Sequence, residues 1–162
     1  MNQAHPIQLK SPAISKLAEE EIDELLVLLN EYARRGDLLP RTRVSIEMTL
    51  KDWVISKVDG RIVGCGSLLM YGPNLAEVRS LAVSDEAQGL GLGRLIVAQL
   101  IDEARERGIP KLFALTRVVG FFERMGFSVT EKENFPEKVW TDCSICPLKE
   151  NCDEIAVEMV LK

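Results

Sequence analysis

The apolar positions of the chain change their period twice, and each change marks a different kind of element. Ile22, Leu25, Leu26, Leu29 and Ala33 recur every three or four residues, with Glu19–Glu21 ahead of them and Gly36 behind. Acidic side chains suit the positive end of a helix and glycine commonly ends one, so this stretch predicts an amphipathic first helix. Residues 7–10 are a candidate first strand, and residues 44–50 a candidate short helix after the turn-rich run 36–43. From Trp53 the period falls toward two. Trp53–Val58 and Arg61–Met70 flank Asp59-Gly60, a dipeptide suited to a tight hairpin. Gly72-Pro73-Asn74 turns the chain again and residues 75–83 return as a strand, so three consecutive antiparallel strands are expected.

After Val83 the helical period comes back. Leu92, Leu95, Ile96, Leu100 and Ile101 share one face of a helix over residues 91–107, which Gly108 and Pro110 end. Lys111–Thr116 reads as a buried strand, and a strand, helix and strand in that order make a right-handed parallel crossover. A short helix over 119–125, the helix-ending Gly126 and strands over 127–131 and 155–161 complete the pattern, with 132–154 as an excursion containing cysteines. The expectation is an α/β fold: a mixed, mostly antiparallel sheet with flanking helices. No linker or repeat divides the chain, so residues 1–162 read as a single domain. Met48, Met70, Met125 and Met159, with Trp53 and Trp140, read as packing groups.

Composition narrows the function. The 162 residues are 46% hydrophobic and carry 20 basic against 25 acidic side chains, a net charge of −5. That balance argues against a surface that wraps nucleic acid, which needs excess Lys and Arg. No apolar run reaches signal-peptide or membrane-span length, so a cytoplasmic protein without a membrane partner is expected. Cys143, Cys146 and Cys152 cluster late while Cys65 stands alone. Three thiolates can hold zinc if Asp142, Asp153 or a partner chain supplies a fourth ligand, or they can remain reduced thiols; a second ligand pair is absent. His5, the sole histidine, supports no triad.

The chemistry starts at Gln88-Gly89-Leu90-Gly91-Leu92-Gly93, between a strand end and a helix start. Glycines let backbone approach a ligand, and the first amides of the helix point outward at the positive end of its dipole, so the loop is either a plain connection or a cradle for a pyrophosphate. The spacing fits neither the dinucleotide fingerprint nor the P-loop. Gln88, Gly91 and Gly93 do fit the Gln/Arg-x-x-Gly-x-Gly/Ala pattern of the GNAT N-acetyltransferases, directly after Ser80-Leu81-Ala82-Val83. Phe121-Phe122-Glu123-Arg124-Met125-Gly126-Phe127 resembles that superfamily's late helix and strand. Within it the chain is similar to short, single-domain amino-acid acetyltransferases of the N-acetylglutamate synthase type, over residues 38–42, 77–83, 112–116 with Phe121-Phe122, and 138–140 with Asp142-Cys143 and Cys152-Asp153-Glu154.

The resemblance implies acetyl-CoA and L-glutamate as substrates, N-acetylglutamate and CoA as products, a place in arginine biosynthesis and no metal in the chemical step. It implies a parallel strand pair that splays at the acetyl-CoA site, contacted by Leu81, Ala82, Val83, Gln88, Gly89, Leu90, Gly91, Leu92, Gly93, Arg94 and Phe122. A homodimer follows from family habit. An amine must lose a proton before it attacks a thioester, and Glu77 is the candidate base; the alternative is a surface ion pair with Arg79. On an ideal strand Glu77, Arg79, Leu81 and Val83 share one face. Arg41, Arg79 and Arg117 are candidate clamps for the carboxylates of glutamate, or solvated surface charges. The family's tyrosine acid is matched by Phe122, which leaves water or a hydroxyl such as Thr116 to assist the thiolate. Acetylation of another small amine or a peptide, and an acetyl-CoA sensor without turnover, remain alternatives.

Overall fold

A computed structural model describes residues 12–135 and 154–161. The candidate strand at 7–10 and Trp140, Cys143, Cys146 and Cys152 lie outside the described residues. Seven strands form one sheet: β1 (Ala13–Lys16), β2 (Trp53–Val58), β3 (Arg61–Met70), β4 (Ala76–Val83), β5 (Lys111–Thr116), β6 (Ser128–Thr130) and β7 (Ile155–Val160). Their order is β1-β2-β3-β4-β5-β7-β6, antiparallel throughout except where β4 runs parallel to β5. The last strand thus enters between β5 and β6, a placement that local pattern does not dictate.

Two helices cover one face and two the other, where the last and shorter packs against β6 and β7. α1 (Ile22–Arg34) turns Ile22, Leu25, Leu28 and Leu29 onto the sheet, where with α2 (Arg43–Met48) they enclose Trp53, Ile55, Cys65 and Ala82. The Gly36 amide donates to Ala33 and that of Asp37 to Tyr32, a glycine-closed helix end that swings the chain toward β4. On the opposite face α3 (Leu92–Glu106) packs Ile96, Val97, Leu100 and Ala104 on Val54, Leu68, Val78 and Ala114. Leu95, expected on that apolar face, is 42% exposed, because α3 meets the sheet along a stripe narrower than the sequence pattern. Met48 is 80% exposed and Met70 37%, so these two are not core groups, whereas Met125 and Met159 pack against the core. Among the described residues no helix is long and apolar enough to cross a membrane.

α4 (Val119–Arg124) ends at Gly126, whose φ is +103°. There the Phe127 amide donates to the Phe122 carbonyl, and the two rings meet edge to face at 5.1 Å. This closure, a left-handed glycine with an apolar contact across it, drives Phe122 inward.

Candidate active site

The sheet forks where β4 and β5 part. Their parallel pairing covers Ala76 beside Leu112 and Glu77 beside Phe113; beyond these, β4 continues against β3 alone. Within that run Cys65 pairs with Ala82 and Ser67 with Arg79, so Ser80 and Leu81 together oppose Gly66. Ser80 absorbs this bulge at φ +55°, uncommon for a residue with a side chain. A Cβ on Gly66 would lie 2.8 Å from Ile96 Cγ2, so the facing position admits no side chain. Ser80 is held at two atoms: the Cys65 thiol donates to its carbonyl at 3.3 Å, and Arg41 Nε donates to its Oγ at 3.4 Å.

The extra residue reverses the strand's alternation. Glu77 and Arg79 lie on the α1 face with Ala82, while Leu81 packs with the α3 core and Val83 beside Ala87 and Leu92. The shared face expected of Glu77, Arg79, Leu81 and Val83 is therefore broken in the middle, because an ideal strand contains no bulge. Glu77 is 2% exposed. Its Oε1 lies 3.8 Å from Arg79 Nη1, and the Tyr71 hydroxyl donates toward it at 3.5 Å. The expected pair exists, but it is buried rather than a surface ion pair. Tyr71 leans on Phe113, which stacks on Phe135 at 4.2 Å, so the carboxylate has an aromatic wall.

Beyond the fork, a single turn of 3-10 helix (Asp85–Ala87) leads into the glycine loop. Gly89 and Gly91 adopt φ +86° and +76°, and Gly91 is the residue from which α3 starts. A cleft of about 590 Å³ opens here between the loop, Val83 and the first turn of α3 on one side and Phe121, Arg124 and Met125 on the other. Gln88, Gly89, Gly91, Leu92, Gly93 and Arg94 line it; Leu81, Ala82 and Leu90 do not. Phe122 is 3% exposed and belongs to the core, so the ring on the cleft is Phe121, whose edge would lie 3.6 Å from a Cβ on Gly93. Helical spacing puts 121, 124 and 125 on one face and turns 122 away; two adjacent phenylalanines gave the sequence reading no such distinction.

Tyr32 and Gln88 close the end of the strand. The Tyr32 hydroxyl donates to the Val83 carbonyl, which also accepts from Gln88 Nε2 at 3.3 Å. Burial raises the Tyr32 phenol above its ordinary pKa, so it stays a donor at neutral pH. Arg35 stacks on Tyr32 at 5.0 Å and grips Asp85 through two bonds of 3.1 and 2.8 Å. On the opposite rim Arg117, on the β5–α4 connection, lies 3.6 Å from Asp37. Arg41, Arg79 and Arg117 thus belong to three separate segments, the α1–α2 connection, β4 and the β5–α4 connection. Thr116 is buried, its Oγ1 accepting from the Val118 amide at 2.8 Å. Tyr32, Phe121 and Arg124 escaped the sequence reading, since none belongs to the glycine motif. Among the described residues no cluster of His, Cys, Asp and Glu has metal-binding geometry.

Residues 20–127 match the acetyltransferase (GNAT) family. An uncharacterised N-acetyltransferase of Chlorobaculum tepidum is 41% identical over 130 residues, which cover 80% of this chain and 84% of that one. An amino-acid acetyltransferase of Neisseria meningitidis is 34% identical over 72% of this chain, but the match spans only 27% of that protein's length. Among solved structures, N-acetylglutamate synthase from Neisseria gonorrhoeae, complexed with coenzyme A and N-acetyl-glutamate, superposes with a TM-score of 0.80 at 28% identity, over 93% of this chain and 35% of that one. With the family pattern matched over two elements of the site and the fold matched over nearly the whole chain, the protein belongs to the GNAT family of acetyltransferases.

Proposed function

We propose that the chain transfers the acetyl group of acetyl-CoA to the α-amine of an amino acid bearing a second carboxylate, L-glutamate first among them. The observation that carries this reading is the buried Glu77 and Arg79 pair at the fork, on the strand whose far end, Val83, lines the cleft beside the glycine loop. Support also comes from the named activities of the amino-acid acetyltransferase relatives, although the chain spans about a quarter of the longer ones. The product would be N-acetylglutamate, a cytoplasmic step toward arginine, carried out by residues 1–162 as one domain.

The residues fit the donor. Gly89 and Gly91 present backbone without a Cβ in the way, and the α3 N-terminus faces the cleft, as a diphosphate requires. The bulged backbone of Leu81, Ala82 and Val83 runs unpaired by β5, open to the thioester arm and with amides near Ala82 or Val83 for the oxyanion. Phe121 takes the cleft position first given to Phe122. Glu77, directly or through a water, accepts the proton that the ammonium loses. The freed amine forms the C–N bond, the C–S bond breaks, and the second proton of the newly attached nitrogen passes, relayed by water or the Thr116 hydroxyl, to the departing thiolate, which leaves as CoA. A thiol pKa near about 8.5 makes that departure undemanding. Arg41, Arg79 and Arg117 orient the acceptor's carboxylates.

The absence of a tyrosine from α4, whose Phe121 lines the cleft, favours one second reading, a donor-binding sensor without turnover. Release of CoA thiol from acetyl-CoA, measured with each of the common amino acids, separates them. Glutamate-dependent release supports the proposal, release with a different amine replaces the acceptor, and silence despite donor binding overturns catalysis.

A further inference from the structure

The cleft carries a positive charge that the chain as a whole lacks. Against a net charge of −5, its wall holds Arg94 from the first turn of α3 and Arg124 from the end of α4, and no carboxylate. Among the described residues neither guanidinium forms a hydrogen bond or salt bridge, whereas Arg35, Arg43, Arg61, Arg105 and Arg107 are all paired with acids. Both are exposed at the rim, while the glycine loop forms the floor. A side chain at Gly120 would crowd Arg124, its Cβ falling 3.4 Å from Nη1, so the bare backbone there lets the guanidinium lie along α4.

Floor and rim suit different anions. The α3 N-terminus offers about half an elementary charge together with free amides, which suits an esterified diphosphate, each of whose phosphates carries about one negative charge. A phosphomonoester carries about −1.5 to −2 charges near neutral pH and calls for full cations in a forked geometry. We infer that Arg94 and Arg124 form a clamp for the phosphomonoester at the nucleotide end of the donor, making the protein selective for CoA thioesters over the same thioesters lacking that phosphate. The inference rests on the acetyl-CoA reading and deepens it, dividing donor recognition between a loop that holds the diphosphate and two arginines that read the outlying phosphate.

Titration calorimetry with CoA and with dephospho-CoA, which differ only in that phosphate, tests the clamp without knowledge of the acceptor. The native chain is expected to bind CoA at least about tenfold more tightly, with the gap narrowing as salt screens the contact. Arg94→Gln and Arg124→Gln are each expected to shrink the gap, and the double variant to bring it within about twofold, the residual spread expected of weak surface charge effects. Equal affinities in the native chain, or an undiminished gap in the double variant, would overturn the clamp while leaving the donor cleft standing. Binding of neither ligand would instead remove the acetyl-CoA reading, and the clamp with it. Because the ratio compares two ligands on one protein, a partly misfolded variant weakens both and leaves their ratio intact.

Discussion

A carboxylate that water scarcely reaches stands at the fork, and its protonation is what Glu77→Gln removes. The amide preserves the shape of the side chain and can still meet Tyr71 and Arg79 but cannot accept the proton of an attacking ammonium. General-base catalysis contributes about 10²- to 10⁴-fold, so kcat is expected to fall by about 10²-fold or more while the affinity for CoA is retained. A variant whose kcat stays close to native would take the role of base away from Glu77. Cys65, beneath the bulge, gives a prediction in pH. Burial pushes its thiol up to about 12, against about 8.5 in an unfolded chain. The folded state keeps a proton that the unfolded state loses, so this stabilisation is complete below about pH 8.5 and declines toward pH 12 at about 1.4 kcal/mol per pH unit. In urea unfolding, raising the pH from 8 to 10 is expected to cost the native chain about 2 kcal/mol more than Cys65→Ala. Equal losses would mean that the thiol ionises in place. At this scale the glycine loop was readable because its requirement is local, a backbone needing positive φ. Phe121 and Arg124 were not, since the facing of a six-residue helix depends on how Gly126 closes it onto the core.

An exposed pair ties two elements beside the cleft, Arg35 at the C-terminus of α1 and Asp85 ahead of the glycine loop. The guanidinium, hydrogen-bonded to Asp85, holds that carboxyl below its usual range. The tie therefore persists above the ordinary carboxylate pKa and is lost only as pH falls through the lowered one, so it is intact at neutral pH. Asp85→Asn severs it while leaving the cleft wall untouched. Because the pair is exposed and screened, the expected effect is a few-fold rise in the KM for acetyl-CoA at low ionic strength, shrinking at high salt. A KM that rises equally at all salt concentrations would point to a misplaced loop rather than a lost charge pair. The helices and the β2–β3–β4 meander were legible element by element, because periodicity and turn residues are properties of contiguous sequence. The bulge was not, since an alternating run with one extra residue still reads as a strand; the observable that marks it is φ +55° at Ser80.

The whole sheet is two pieces joined narrowly. β1 to β4 form one antiparallel block, and β5, β7 and β6 another; their seam is the pairing of Ala76 with Leu112 and Glu77 with Phe113. The parallel seam could be anticipated from the strand, helix and strand order around α3, whereas the insertion of β7 between β5 and β6 is a long-range pairing with no local sign. A narrow seam has a dynamic consequence. Beyond Glu77 the facing edges of β4 and β5 lack each other's ladder bonds, and segments with few such bonds open at low free-energy cost. A donor lying in the fork would supply donors and acceptors to both edges and act as an additional strand between the blocks. Hydrogen exchange with and without CoA is therefore expected to show slowed exchange over residues 79–83 of β4 and 114–116 of β5, as well as over the loop at 88–94. Protection confined to the loop would mean that CoA is held by its phosphates alone, with its thioester end outside the fork. That outcome would separate Glu77 from the chemistry even if the donor bound tightly.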